Sequence, residues 1–268
     1  MSKQTSNDLY NIGRMYLYGE GMATDFNKAF EYFTKASNQK HPIATYMLGY
    51  MYENGLGVLP SYAQARIYYV KAANLNDPIS LYCLGLYAEQ GLATKQDYNE
   101  AFKYYKKSSA LGFPEAKHAL AFLYQNGKGV QKDDKKALSL YLLASKLGYA
   151  PSAVNAGIMY QYGLGCEANL EEAFRLYNIA ANENEPTGLY NVGNFYYHGY
   201  GCEASLAKAY SYYLKSAKLG FDKAEFNLGS MYYNGEFVDQ NKDKAIEWFT
   251  KAKEHGNQKA TVLLDEIK

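Results

Sequence analysis

Glycine recurs on a 36-residue lattice through this chain, and that period decides what the chain can fold into. Gly13, Gly49, Gly85, Gly157, Gly193 and Gly229 share one register, with Ala121 in the remaining slot. Six positions on, Gly19, Gly55, Gly91, Gly127, Gly163, Gly199 and Gly235 occur in every copy. Ten further on, so do Ala29, Ala65, Ala101, Ala137, Ala173, Ala209 and Ala245. No insertion breaks the register, and self-similarity at a period of about 20–50 residues marks a stacked repeat fold.

Each copy holds two helical segments. The first, typified by Pro42 to Glu53, places Ala44, Leu48, Gly49 and Tyr52 at i, i+4, i+5 and i+8, one face of a helix. Pro42, Pro78, Pro114 and Pro186 open it, where a missing N–H is no loss. Paired glycines such as Gly55 and Gly57 end it in a tight turn. The second segment starts at Asp25, Ser61, Asp97, Asp133, Asn169, Ser205 and Asn241, all good N-caps, and Gln64, Glu100 and Glu172 stand where capping boxes need them. Its buried stripe is Ala65, Tyr69 and Ala72 with their equivalents. The slot of Tyr69 is aromatic throughout: Phe33, Tyr69, Tyr105, Tyr141, Tyr177, Tyr213 and Phe249. The segment stops at Lys40, Asn76, Gly112, Gly148, Asn184, Gly220 or Gly256, mostly residues that tolerate a left-handed backbone.

Small residues at facing slots let the two helices approach closely. One such hairpin cannot bury its own apolar face, so neighbours must stack. The expected fold is all-α: a single solenoid domain over residues 1–268, a right-handed α-α superhelix of seven helix–turn–helix repeats. Their bounds are 6–41, 42–77, 78–113, 114–149, 150–185, 186–221 and 222–257. Residues 258–268 restart a first helix with Asp265 in the glycine slot, which reads as a capping helix.

Composition excludes several classes. The net charge is +1 with no long run of one sign, and 25 Lys stand against only Arg14, Arg66 and Arg175, which argues against nucleic acid and phosphate recognition. No stretch approaches the roughly 18 apolar residues that span a bilayer, and Met1 to Asp8 is polar with no signal-peptide core. Cys83, Cys166 and Cys202 cannot form a disulfide framework. Cys166 and Cys202 share the slot of Val58, Val130 and Val238 and read as small buried hydrophobes, while Cys83 sits at an asparagine slot facing outward. A cytoplasmic location is expected, or export without a cleaved signal.

Catalytic chemistry finds no footing either. His41, His118, His198 and His255 occupy unrelated repeat positions, so no metal or cofactor site is expected. The acidic residues stand mainly at caps and outer faces. Ser-x-x-Lys occurs at Ser37 to Lys40 and Ser205 to Lys208, but the first straddles a helix end and the second is an N-cap. Glycine pairs such as Gly163 and Gly165 lack the strand and the Gly-Lys-Ser/Thr of a phosphate loop.

The pattern Ala-x-x-x-Leu-Gly-x-x-Tyr-x-x-Gly-x-Gly of Ala44 to Gly57, followed by Ala-x-x-x-Tyr-x-x-Ala of Ala65 to Ala72, resembles the Sel-one-like repeat, a relative of the tetratricopeptide repeat. The resemblance covers roughly residues 6–268. It implies an adaptor or scaffold for multiprotein assemblies, in endoplasmic-reticulum quality control, signalling or bacterial contact with host cells. Three slots depart: Ala88 replaces the pattern's tyrosine, and Ala93 and Phe237 replace its second glycine. A small void is expected at Ala88 unless Tyr87 turns into it. The paired cysteines of the family's secreted, disulfide-braced members are absent, so nothing particular to that branch is carried over.

Helix geometry then singles out candidate binding residues. Positions three before and one after each lattice glycine lie roughly 130–180° from the middle of the core face, and in related folds that surface lines the inner, concave wall. The first set is Tyr10, Tyr46, Tyr82, His118, Val154, Tyr190 and Phe226; the second is Arg14, Tyr50, Leu86, Phe122, Ile158, Asn194 and Ser230. Two before each glycine come Asn11, Met47, Cys83, Ala119, Asn155, Asn191 and Asn227. The second to fourth repeats thus offer an apolar strip (Ile43, Tyr46, Met47, Tyr50, Ile79, Tyr82, Leu86, Phe122). The fifth to seventh offer Asn155, Asn191, Asn194 and Asn227 with Tyr190 and Tyr197. Asparagine carries donor and acceptor together and can grip an extended backbone. Two readings stay open for the tyrosines and asparagines: contact with a partner, or packing and bonding between neighbouring repeats. The apolar strip favours binding, since soluble monomers rarely expose large apolar patches. The expected function is a non-enzymatic scaffold or adaptor that takes a partner protein or peptide in its concave groove. A bacterial effector or effector regulator acting through protein binding is the alternative, and a beta-lactamase-like hydrolase on a repeat frame is the remaining one.

Overall fold

The computed structural model describes residues 4–267. Residues 1–3 of the polar N-terminus and the last residue of the expected capping helix, 268, lie outside the described residues. The described chain holds fifteen helices and no strand, an all-α solenoid. It divides into two compact units, residues 1–133 and 134–268, with the boundary inside the fourth repeat. The first unit contains α1 (Ser6–Tyr18), α2 (Phe26–Asn38), α3 (Pro42–Asn54), α4 (Tyr62–Ala73), α5 (Pro78–Gln90), α6 (Tyr98–Ala110) and α7 (Pro114–Asn126). The second contains α8 (Asp134–Lys146), α9 (Ala150–Tyr162), α10 (Leu170–Asn182), α11 (Pro186–His198), α12 (Leu206–Lys218), α13 (Asp222–Asn234), α14 (Lys242–Glu254) and α15 (Gln258–Ile267).

The helix ends follow the local chemistry. Asp25, Ser61, Asp97, Asn169, Ser205 and Asn241 each accept a first-turn backbone N–H through the side chain. The reciprocal capping box closes at Thr5 and Asp8 instead of at the three expected places. Glu100 and Glu172 turn to Arg66 and Arg175, because a guanidinium is the stronger partner for a carboxylate than a backbone N–H. All seven expected C-terminal stops have positive φ, including Lys40, Asn76 and Asn184. Ala93 and Phe237 are forced into the same left-handed region, φ 58° and 65°, by the glycine slot they occupy.

The lattice glycines and the aromatic slot form one device. A Cβ at Gly157 would lie 2.6 Å from Cε1 of Tyr177, and one at Gly193 2.6 Å from Cδ1 of Tyr213. Each glycine therefore admits the ring of its own repeat's second helix. Phe33, Tyr69 and Tyr105 in the first unit, and Tyr141, Tyr177, Tyr213 and Phe249 in the second, are almost wholly buried, and burying such a ring is worth about 2–3 kcal/mol. At the C-terminal end α15 seats Ala260, Leu264 and Ile267 against Phe249 and Ala252.

Ala88 is 3% exposed, so its slot is covered. Tyr87 does not swing into its place but meets Tyr62 and Tyr69, with centroids 5.9 and 5.6 Å away. Arg66 stands where neighbouring repeats have Phe30 and Phe102 and reaches Glu100 at 3.6 Å.

Candidate partner-binding groove

A buried tyrosine must place its hydroxyl, and these place it on the residue four positions past the lattice glycine, one helical turn along. In the first unit Tyr69 donates to Glu53 and Tyr105 donates to Glu89 at 2.6 Å. In the second, Tyr177 donates to Oε1 of Gln161 at 2.7 Å. The same slot in the sixth repeat holds Tyr197, so Tyr213 donates to Oδ1 of Asn194 instead, at 2.8 Å. Tyr197 in turn donates to Glu236 at 2.6 Å. Where the core ring is Phe33 the slot is the buried Leu17, which needs no polar partner. Burial pushes all four hydroxyls upward in pKa, so they stay protonated donors.

In three repeats the residue two before the glycine meets the tyrosine of the preceding repeat. Asn155 hydrogen-bonds Tyr141, whose pKa burial pushes up to about 12 against the pull of that bond. Asn227 bonds Tyr213 and also donates to Asn194 at 3.4 Å. Cys83 meets Tyr69; burial, with the charges of Glu53 and Asp77 adding, raises its thiol to about 12. Cys83 is therefore half-buried and inert instead of facing outward, while Cys166 and Cys202 are also only half-buried, their thiols turned to the carbonyls of Met159 and Phe195. Asn191 alone of the candidate asparagines makes no side-chain hydrogen bond among the described residues.

Three before the glycine, the rings lie on the core ring of their own repeat. Tyr46 sits 5.8 Å from Tyr69, Tyr82 5.7 Å from Tyr105 and Tyr190 6.0 Å from Tyr213. Half of each ring is spent on packing. Of the first unit's expected strip, Met47 is 6% exposed and belongs to the core, and Leu86 is half-buried. Tyr50 and Phe122 are each 36% exposed, and Lys128 covers the Phe122 ring with its ammonium 5.1 Å from the centroid. The strip is thinner than the sequence suggests, because helix phase alone does not show which ring a neighbour covers.

In the second unit the candidates converge. Tyr190, Asn191, Asn194 and Asn227 line a cavity of about 720 Å³ with Gln161, Tyr162, Tyr200 and His198. Asn155 and Tyr197 are not among its lining residues. The wall contains no Lys, Arg, Asp or Glu. Gln161, Tyr162 and Tyr200 were missed by the sequence reasoning. Their signal was the pairing of slots: Leu17 with Phe33, but Glu53, Glu89 and Gln161 with tyrosines. Among the described residues, no group of three or more potential metal ligands occurs, and no helix is long and apolar enough to cross a membrane.

Stacked helical hairpins define a helical-repeat protein. The Sel1 repeat model matches residues 7–41, 42–77, 78–113, 114–149, 150–185, 186–221 and 222–257, and the chain belongs to that family. Only the first boundary differs, by one residue, from the lattice. A protective antigen of uropathogenic Escherichia coli displaying this fold is 29% identical with a TM-score of 0.86, covering 98% of this chain and 56% of its own. The chain thus spans little more than half of that protein's length. A Sel1 repeat protein from Oxalobacter formigenes is 28% identical with a TM-score of 0.81, over 98% of this chain and 76% of that one. A search of curated proteins finds no match. Sel1 repeat proteins generally mediate protein–protein interaction, and the family typically serves as a non-enzymatic scaffold.

Proposed function

We propose that this chain is a scaffold that binds a partner polypeptide, and that the groove of the second unit takes an extended segment of it. The observation that carries this reading is the cavity of about 720 Å³ in which Asn191, Asn194, Gln161 and Asn227 face rings of Tyr190, Tyr162 and Tyr200. Amide side chains satisfy the main-chain groups of a peptide, and half-exposed tyrosines supply rigid contact area. Asn191 is the informative residue. It has no internal hydrogen bond to lose, so Asn191→Ala leaves folding intact and removes only a groove contact.

The test is selection from a displayed random-peptide library on the immobilised chain, with melting temperature measured beside it. Wild type enriches peptides that the equally stable Asn191→Ala and Tyr200→Ala variants bind at least tenfold more weakly. Peptides that bind wild type and both variants alike, or no enrichment at all, sink the groove reading.

A further inference from the structure

Two amides of the groove, those of Gln161 and Asn194, are not free to turn either way. Oε1 of Gln161 accepts the Tyr177 hydroxyl at 2.7 Å. Oδ1 of Asn194 accepts the Tyr213 hydroxyl at 2.8 Å and the Asn227 amide at 3.4 Å. Each oxygen is held by the core, so each NH₂ is left over, and neither has a partner among the described residues. Both side chains line the cavity. Gln161 and Asn194 therefore present N–H donors to a cavity whose lining holds no Lys, Arg, Asp or Glu, while Glu236 lines the adjoining cavity that shares Asn194, His198 and Asn227.

The first unit supplies the contrast. Glu53 and Glu89 occupy the slot of Gln161 and accept the equivalent tyrosine hydroxyl, Glu53 with the Tyr87 hydroxyl beside it as well, and what each brings to that surface is a carboxylate charge in place of an amide NH₂. No Lys or Arg pairs with either of them among the described residues. The residue four past the lattice glycine thus decides whether that stretch of surface offers donors or acceptors, while leaving the core hydrogen bond unchanged.

We infer that Gln161 and Asn194 determine specificity, and that the occupant of the second unit's groove is an uncharged extended peptide segment held through its main-chain carbonyl oxygens. This rests on the groove reading above and adds the chemistry of what fills it. A lysine or arginine side chain would meet no carboxylate among the lining residues, and a carboxylate would meet no lysine or arginine.

Gln161→Glu is the test, because the molecule already shows that a carboxylate takes the tyrosine hydroxyl in this slot. The probes are two capped, fluorescein-labelled nonapeptide pools. One is built from Gly, Ala, Ser, Thr, Asn and Gln; its twin carries lysine at two positions. Wild type binds the uncharged pool at least tenfold more tightly, and Gln161→Glu loses that preference or reverses it toward the lysine pool. Should Gln161→Glu prove unstable by circular dichroism, Asn191→Asp makes the same change of polarity at a side chain the core does not use. Wild type favouring the lysine pool, or folded variants keeping the wild-type preference, overturns the inference while leaving peptide binding in place. Wild type binding neither pool overturns the groove reading and this inference together.

Discussion

In the first unit the hydroxyls of Tyr69 and Tyr105 end on carboxylates, those of Glu53 and Glu89. In the second, the hydroxyls of Tyr177 and Tyr213 end on the amides of Gln161 and Asn194. The rings are equally buried in both, so the packing core is the same and only the polar end differs. In the sixth repeat Tyr197 takes the slot of Gln161, and Asn194 accepts the hydroxyl from a neighbouring position. The difference between Gln161 and the two glutamates teaches that the slot they share carries two duties. Its inner atom satisfies the core, and its outer atom sets the chemistry of the surface. A hydrogen bond to a charged acceptor is worth about 1.5–3 kcal/mol and a neutral one about 0.5–1.5 kcal/mol. The first unit should therefore depend more heavily on its tyrosine hydroxyls.

The largest expected effect follows directly. Tyr105→Phe leaves the half-buried Glu89 without its donor and should lower stability by about 2–3 kcal/mol, against about 1 kcal/mol for Tyr177→Phe. Removing both partners should behave differently. The first repeat already pairs Leu17 with Phe33, so Glu89→Leu combined with Tyr105→Phe should recover most of the loss. Urea denaturation of the wild type and these three variants measures this, and a double variant no better than Tyr105→Phe would break the comparison.

That pairing was legible in the sequence, since Leu17 accompanies a phenylalanine while Glu53, Glu89 and Gln161 accompany tyrosines 16 residues on. The lattice, the caps and the aromatic slot were legible for the same reason: backbone geometry fixes them within one repeat. What the periodicity could not show was direction across repeats. Asn155 and Asn227 bond the tyrosine of the preceding copy, and Tyr197 bonds Glu236 of the following one. Met47 is covered although the opposite-face geometry points it outward. Such burial depends on how one hairpin leans on the next, a quantity that no 36-residue period contains.

Histidines sharpen the contrast between the units through pH. Burial lowers the pKa of His41 and takes that of His118 down to about 4, both in the first unit. The folded state resists protons that the unfolded chain accepts from about pH 6.5, so first-unit stability falls as pH drops from there toward 4, by at most about 1.4 kcal/mol per pH unit for each histidine. His255 in the second unit is shifted the other way by its hydrogen bond to Glu225 at 2.8 Å and that carboxylate's charge. Its contribution is complete below the unfolded value and is lost as pH rises through the elevated one. Trp248 is the sole tryptophan and lies in α14, so its fluorescence reports the second unit while far-ultraviolet dichroism reports the whole chain. Between pH 7 and 5 the dichroism midpoint in urea should fall relative to the Trp248 midpoint. His118→Gln should shrink that gap, and coincident midpoints at both pH values would count against it.

The smallest effect concerns the pairs of rings that join one repeat to the next. Phe30 meets Tyr52 and Phe102 meets Tyr124 edge-on in the first unit, at 5.6 and 5.5 Å. Phe174 meets Tyr196 and Tyr210 meets Tyr232 in the second, at 5.3 and 6.2 Å. The first unit breaks the series at Arg66 and Ala88, where an ion pair to Glu100 replaces the rings. That pair is a third exposed on each side, a setting worth about 0–1 kcal/mol, whereas an edge-on ring pair adds about 0.5–1.5 kcal/mol beyond its burial. Ala88→Tyr alone puts a ring into a slot that is already almost wholly covered and should lower the melting temperature. Arg66→Phe with Ala88→Tyr restores the pattern of the neighbouring repeats and should raise stability by about 0.5 kcal/mol. The sign carries the test: if Ala88→Tyr alone stabilises, space was open at Ala88 after all, and if the pair destabilises, Arg66 contributes more to the joint than its exposed ion pair accounts for.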